Sequence, residues 1–197
     1  MVAALKGRGL YESTLIIISA KHGQSPIDSA RYLGIGVPSN SPITTSPADI
    51  LENLLPSSES PANPDGIGPT QDDISLLWLS DSTQTTNAVG MLESQSPATN
   101  NIAGIGEIFS GPAIAQMFNP PGLPPNGDPR TPDIIVTPNI GVTYSGSGKK
   151  LAEHGGFAHD DTNVMMLVSN PSMSPGTVTS PVELEEEMRH LFEVLNQ

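Results

Sequence analysis

The sequence predicts an α/β fold in which a mainly parallel sheet is flanked by helices. Three apolar runs carry this prediction, at residues 14–19, 133–136 and 163–169. A strand that is apolar on both faces is typical of a parallel sheet covered by helices on each side. We therefore expect a few buried strands, separated by short helices and long loops.

The first half of the chain opens with the end of an amphipathic helix at residues 2–8, closed by Gly9. The first strand, at 14–19, leads directly into residues 20–24. In open α/β sheets the carboxyl ends of the strands form the edge where ligands bind. The remaining predicted elements of this half are a helix at 47–55, a strand at 73–79 and a helix at 83–94.

The second half of the chain alternates short predicted elements with proline-rich segments. Pro120 and Pro121 end a short helix and open a loop that continues to Pro132. The last element is an acidic amphipathic helix, whose apolar stripe predicts a buried face. In order, the predicted elements are a strand at 102–107, a helix at 111–118, strands at 133–136, 142–144 and 163–169, and a helix at 181–195.

The chain length of 197 residues is sufficient for one domain with a real core, and we predict one domain over residues 1–197. Glycine contributes 19 residues and proline 20, which indicates much irregular structure. A loop-rich insertion occupies about residues 24–72. Long loops are uncommon unless they are functional, so this stretch is either a substrate-facing lid or an incompletely structured region.

The net charge of −13 bears on the class of partner. Nucleic-acid polymers and anionic membranes require a basic patch, which the sequence lacks. A small phosphorylated substrate stays compatible with an acidic protein, because bound metal ions reverse the local charge. The composition therefore argues against polyanionic polymers but not against phosphate chemistry.

Cysteine is absent, so a metal would have to be held by His, Asp, Glu or hydroxyl oxygen. No apolar run reaches the length of a membrane span, and residues 1–9 lack the apolar core of a signal peptide. Neither the compartment nor the oligomeric state follows from the sequence.

Two histidines lie in glycine turns: His22 in Lys21-His22-Gly23 and His154 in Glu153-His154-Gly155-Gly156. Imidazoles on turns at strand ends can converge on one metal. Spacing alone leaves open the alternative that each histidine only caps a turn. His190, on the predicted acidic helix, is expected at the surface.

Three blocks of sequence resemble type I phosphodiesterase/nucleotide pyrophosphatase proteins of the alkaline phosphatase superfamily. They are residues 13–26, which include His22, residues 131–136, and residues 153–162, which include His154. The blocks occur in the family's order. The resemblance implies an alkaline-phosphatase-like α/β fold and a site for one or two divalent ions, usually zinc, with His22 and His154 as ligands. It also implies hydrolysis of a phosphodiester or nucleotide pyrophosphate.

The chain departs from this family at Lys21, where the common pattern has Asp. An ammonium group cannot ligate a divalent ion. Lys21 could instead contact a substrate oxyanion, or it could face solvent or pair with Asp28 or Asp160.

The family's nucleophile, a Thr or Ser, lies upstream of the first histidine motif, where this chain has only 21 residues. The resemblance therefore implies a C-terminal portion of such a domain, with the N-terminal part missing and Met1 as an internal start. We expect a two-metal site completed by absent upstream residues, so the chain alone would be weakly active or inactive. Family members are often exported.

Other polar residues near the second motif are candidates for orienting a ligand, or are simply exposed turn residues: Glu153, His159, Asp160 and Asp161. Thr131 and Ser145 are hydroxyl residues outside the matching motifs and are not assigned a role. The leading hypothesis is metal-dependent hydrolysis of phosphate esters, with sulfatase or phosphonate hydrolase activity possible on the same scaffold. The alternative is a non-catalytic, degenerate homologue that acts as a binding module.

Overall fold

The structure is a computed structural model that describes residues 1–56, 67–95, 102–122 and 124–180. The predicted helix at 181–195, with His190, lies outside the described residues. In chain order the helices are α1 (Val2–Gly7), α2 (Pro47–Ile50), α3 (Thr85–Glu93), α4 (Pro112–Met117) and α5 (His159–Thr162). The strands are β1 (Ile16–Ile18), β2 (Ser25–Pro26), β3 (Leu33–Gly34), β4 (Thr70–Gln71), β5 (Ser75–Leu77), β6 (Ile105–Ser110), β7 (Ile134–Pro138), β8 (Val142–Thr143), β9 (Ala152–Glu153) and β10 (Leu167–Ser169).

The chain divides into two compact units. The first consists of Met1–Lys21 and Asn163–Gln197. Its described part contains α1 and an antiparallel pair of β1 with β10, in which Ile17 lies opposite Val168. The Asn170 side-chain amide donates to the Thr14 carbonyl at 3.0 Å, next to this pair.

The second unit, His22–Thr162, is built on a four-stranded sheet with the order β4-β5-β7-β6. Strand β7 lies in the middle of this sheet, and Ile134, Ile135 and Val136 are fully buried. Because side chains alternate between the faces of a strand, Ile134 and Val136 share one face and Ile135 takes the other. The sheet is therefore apolar on both sides at its centre.

Side chains from a few short helices pack against each face of β7. Ile134 and Val136 belong to the larger core cluster, together with Leu92 of α3 and Leu51, which follows α2. Ile135 packs in a smaller cluster with Ile114 of α4. Helix α2 starts at a capping box, in which Ser46 accepts from the Asp49 amide and Asp49 accepts from the Ser46 amide.

The predicted α/β class is confirmed, but the strand directions differ from the expected mainly parallel sheet. Within the described residues every pair is antiparallel except that of β3 with β8. An apolar run shows that a strand is covered on both faces, and this holds equally for parallel and antiparallel neighbours. This burial on both faces is found at β7. It is wrong for the runs at 14–19 and 163–169, because Ile18 of β1 and Leu167 of β10 are exposed in their two-stranded pair.

The described part of the chain contains no helix long and apolar enough to cross a membrane.

Candidate metal centre

The first histidine turn begins the second unit. His22 is half-buried, and its Nδ1 lies 2.7 Å from the Gly23 carbonyl oxygen. A carbonyl oxygen can only accept a hydrogen bond, so Nδ1 carries the proton in this arrangement. The lone pair is then on Nε2, the nitrogen left available for a metal.

Gly23 brings this turn against the segment around α5. Its amide donates to the Asp161 carbonyl at 2.7 Å. A Cβ atom at Gly23 would lie 1.8 Å from the Asp160 carbonyl oxygen, which leaves no space for any side chain. The first histidine turn therefore touches the α5 segment through backbone, and glycine is required at the contact.

The two histidines are brought together by a short strand pair. Strand β2 pairs with β9 in antiparallel register, with Ser25 opposite Glu153. His22 precedes one strand and His154 follows the other, so both rings lie at the same end of the pair. Their ring centroids are 4.1 Å apart with an interplanar angle of 31°.

Two aspartates join the histidines from the tight connection between β4 and β5. The Asp73 amide donates to the His154 carbonyl at 3.2 Å, which ties this connection to the second motif. Asp72 Oδ2 lies 3.8 Å from His154 Nδ1. The sequence pattern indicates Asp73 only as the start of a strand and does not single out Asp72. The available signal was a tandem pair of acids directly before a buried strand.

Asp72, Glu153 and His154 each offer one ligand atom, and these atoms lie within 4.8 Å of one another. Catalytic zinc sites use three protein ligands from the His, Asp and Glu set, with metal–ligand distances of about 2.0–2.2 Å. Tetrahedral ligand atoms at such distances are roughly 3.4 Å apart. One imidazole and two carboxylates fit a divalent ion in kind, and their spacing would have to shorten on binding. The His22 ring lies beside that of His154.

Glu153 is the buried member of this group, with 3% of its surface exposed. Its carboxylate accepts hydrogen bonds from the Ser145 hydroxyl and the Lys150 ammonium. Burial raises the pKa of Glu153, but the hydrogen bonds from Lys150 and Ser145 outweigh burial and hold the pKa below its usual value. Glu153 is therefore an anion at neutral pH, as a metal ligand must be.

Asp73 and Asp161 form a second carboxylate pair beside the group. Burial, a hydrogen bond with Asp161 and repulsion from the neighbouring carboxylates raise the pKa of Asp73 to about 7. The Asp161 side chain also accepts from the Ser25 hydroxyl at 2.8 Å and from the Gly156 amide at 3.0 Å. A cluster of carboxylates such as this one stabilises a bound divalent cation.

The remaining predicted residues lie at the surface. His159 and Asp160 contact each other at 3.5 Å, and their side chains are 79% and 63% exposed. Lys21 is also exposed and belongs to the first unit, whereas His22 belongs to the second. Their proposed roles at the site stay predictions.

A cavity of about 260 Å³ adjoins the carboxylates. Asp73 and Glu153 line it on one side, and the apolar side chain of Ile140 and the cation of Arg31 contribute to its wall. A larger cavity of about 430 Å³ lies in the proline-rich loop between Asn119 and Arg130, and none of the candidate ligands lines it. The smaller cavity is therefore the one placed to receive a ligand of the metal centre.

No protein-family model matches the chain, and no curated protein matches it. Among solved structures, the chain is similar to human ectonucleotide pyrophosphatase/phosphodiesterase 5, with 11% sequence identity and a TM-score of 0.46. The match covers 86% of this chain and spans 37% of that protein's chain.

Proposed function

We propose that this protein hydrolyses phosphate esters with a divalent metal ion, zinc in our assignment, held by Asp72, Glu153 and His154. The main support for this proposal is that one donor atom from each of the three residues lies within 4.8 Å of the others. In addition, the centroid of the His22 ring is 4.1 Å from that of His154. The resemblance of both histidine motifs to phosphodiesterases supplies the reaction class. A phosphodiester or a nucleotide pyrophosphate is the proposed substrate type.

We assign one ion to the described residues. Asp73 and Asp161 lie beside the three donors, but they share a hydrogen bond with each other. Within the described residues, one group of three His, Asp or Glu donors is close enough together to hold an ion. The two-ion site that the family resemblance implies would therefore need further ligands.

The bound ion would act as a Lewis acid on a phosphoryl oxygen and would neutralise the charge of the phosphate. The residues of the chain supply the rest of the site. The His22 ring lies beside that of His154, and the cavity lined by Glu153, Ile140 and Arg31 would receive the esterified group. Because the chain carries a net charge of −13, phosphate binding should depend strongly on the metal.

Hydrolysis of bis(4-nitrophenyl) phosphate by the purified, zinc-loaded protein tests this function. We expect weak turnover that a chelator abolishes and that added zinc restores. The variant Asp72→Asn should lower the rate by roughly 100-fold, since a metal ligand is lost. Asp160→Asn is the matched control, because Asp160 is exposed and outside the donor set, and it should keep the wild-type rate.

The outcomes separate the two functional hypotheses. Zinc binding without any turnover would favour a metal-dependent binding module over an enzyme. Turnover that is insensitive to the chelator, or equal in Asp72→Asn and in the wild type, would contradict the proposed site.

A further inference from the structure

Lys150 lies at a contact that the proposed function does not yet use. Its ammonium group donates to a carboxylate oxygen of Glu153 and lies 2.9 Å from the Ser145 hydroxyl oxygen. Glu153 is one of the three proposed ligands, so a cation of the chain itself contacts the carboxylate that a metal ion would bind. The Lys150 side chain is 31% exposed, whereas that of Glu153 is 3% exposed. The lysine therefore contacts both a buried ligand and the solvent.

The contact between Lys150 and Glu153 adjoins the cavity that we assign to the substrate. The Ser145 carbonyl accepts from the Tyr32 hydroxyl at 3.2 Å and from the Thr143 hydroxyl at 3.1 Å. Tyr32 and Thr143 both line the cavity of about 260 Å³, as does Glu153 itself. The wall of the cavity thus holds in place the serine that the ammonium group touches.

Charge determines what this ammonium group can do once an ion is bound. The carboxylates of Asp72 and Glu153 balance the two positive charges of a divalent ion, and a neutral imidazole adds none. Lys150 would then share Glu153 with the ion, and two cations on one carboxylate repel each other. An anion that contacts both cations relieves this repulsion. A phosphate oxygen is such an anion, and lysine ammonium groups bind phosphate as point charges.

We propose that Lys150 is a phosphate-binding residue of this site, an inference that rests on the proposed function. With the metal ion bound, the ammonium group turns from Glu153 to a non-bridging oxygen of the phosphate. The lysine stem is flexible and ends in three rotatable donors, so this change needs no movement of the backbone. A donor placed on a phosphoryl oxygen stabilises the negative charge that the oxygen carries during transfer.

Other cations of the chain are less well placed for this role. Lys21 and Lys149 are exposed, and Lys21 belongs to the first unit. Arg31 lines the same cavity, but no contact of its guanidinium group with a proposed metal ligand occurs within the described residues. Lys150 contacts such a ligand directly. We therefore assign the phosphate to Lys150 and keep Arg31 with the esterified group.

Titration of the zinc-loaded protein with inorganic phosphate, monitored by calorimetry after removal of free zinc, tests the proposal without requiring turnover. We expect the phosphate affinity of Lys150→Gln to be lower than that of the wild type by about 10-fold or more, since a charge-assisted hydrogen bond is lost. Glutamine can still donate to Glu153, so the buried carboxylate keeps a partner. Lys150→Arg retains the positive charge and should retain most of the affinity.

Lys149→Gln is the matched control, because it removes the same charge from the neighbouring, exposed position. It should bind phosphate as the wild type does. Equal phosphate affinity in Lys150→Gln and in the wild type would overturn this inference and leave the proposed function standing. Failure of the zinc-loaded wild type to bind phosphate would instead overturn the proposed function, and this inference with it.

Zinc affinity separates phosphate binding by Lys150 from a purely structural role. Lys150→Gln should bind one zinc ion at least as tightly as the wild type, because a positive charge beside the ion has been removed. A lower zinc affinity in Lys150→Gln would show that the lysine only supports Glu153, and this too would overturn the inference.

Discussion

Glu153 illustrates how contacts with neighbouring residues keep a buried side chain of the centre in its charged form. The lysine at position 150 and the serine at position 145 contact its carboxylate and keep it ionised in a buried position. An ionised carboxylate without such partners would be strongly destabilised there. The same contacts therefore serve folding and keep a ligand in its charged form.

Asp73 provides a test at the residue scale, because its pKa of about 7 in the folded protein lies above the ordinary 3.8. The folded state then binds a proton that the unfolded state has lost, so the free energy of unfolding decreases as the pH rises from about 4 to about 7. Asp73→Asn removes this titration. In chelator-treated protein, the variant should gain a few degrees in Tm relative to the wild type between pH 4 and pH 8.

Asp28→Asn is the control, because Asp28 is exposed and outside the carboxylate group. Its Tm should follow the wild-type curve across the same pH range. Parallel curves for Asp73→Asn and the wild type would show that the carboxylate crowding around Asp73 has no effect on stability.

The sequence indicates His22 and His154 because each lies in a glycine turn beside an apolar run. Asp72, Ser145 and Lys150 could not be found in this way. Asp72 reaches His154 only through the register of a strand pair and a backbone hydrogen bond. The sequence shows Ser145 only as a hydroxyl outside the matching motifs, and its contacts with Glu153 and Lys150 depend on a turn whose shape the residue pattern does not specify.

At the scale of elements, the short pair of β2 with β9 determines the site. Strands of two residues have little stability of their own, so their register depends on the contacts at their ends. The Gly23 amide and the Asp161 carbonyl form one such contact, at 2.7 Å. Glycine is therefore required at this position, because the two turns approach too closely to leave room for a side chain.

Gly23→Ala should consequently disturb both the fold and the site. Its Cβ would lie 1.8 Å from a backbone oxygen, and relief of this clash should cost about 1–3 kcal/mol of the free energy of unfolding or more. Zinc affinity should fall with it, because His22 moves away from His154. Chemical denaturation and zinc titration measure these two effects.

Gly68→Ala is the matched control, since a Cβ there meets no atom within 4 Å. It should leave stability and zinc affinity unchanged or slightly improved. Equal behaviour of the two variants would show that the turns do not approach as described.

The sheet shows which features of an element can be predicted. Residues 133–136 are apolar at every position but the first, and β7 is accordingly covered on both faces. The direction of its neighbours depends on how the chain returns to the sheet, over connections whose length the sequence gives but whose path it does not. Burial was therefore predictable at β7, whereas its antiparallel pairing and the exposure of Ile18 in β1 and Leu167 in β10 were not.

At the scale of the whole molecule, charge is the dominant property. A net charge of −13 opposes the binding of any phosphate, and the acids around Asp73 concentrate this charge at the candidate centre. A divalent cation at that point changes the sign of the local potential and makes phosphate binding possible. The proposed chemistry thus depends on one binding event.

Titration of the whole protein with zinc, monitored by calorimetry, tests the binding of a divalent cation at this centre most directly. We predict one zinc ion bound per chain, and an affinity lower by more than about 100-fold in His154→Ala. His159→Ala, which removes an exposed histidine of the same segment, should bind zinc as the wild type does. An unchanged stoichiometry and affinity in His154→Ala would contradict the account.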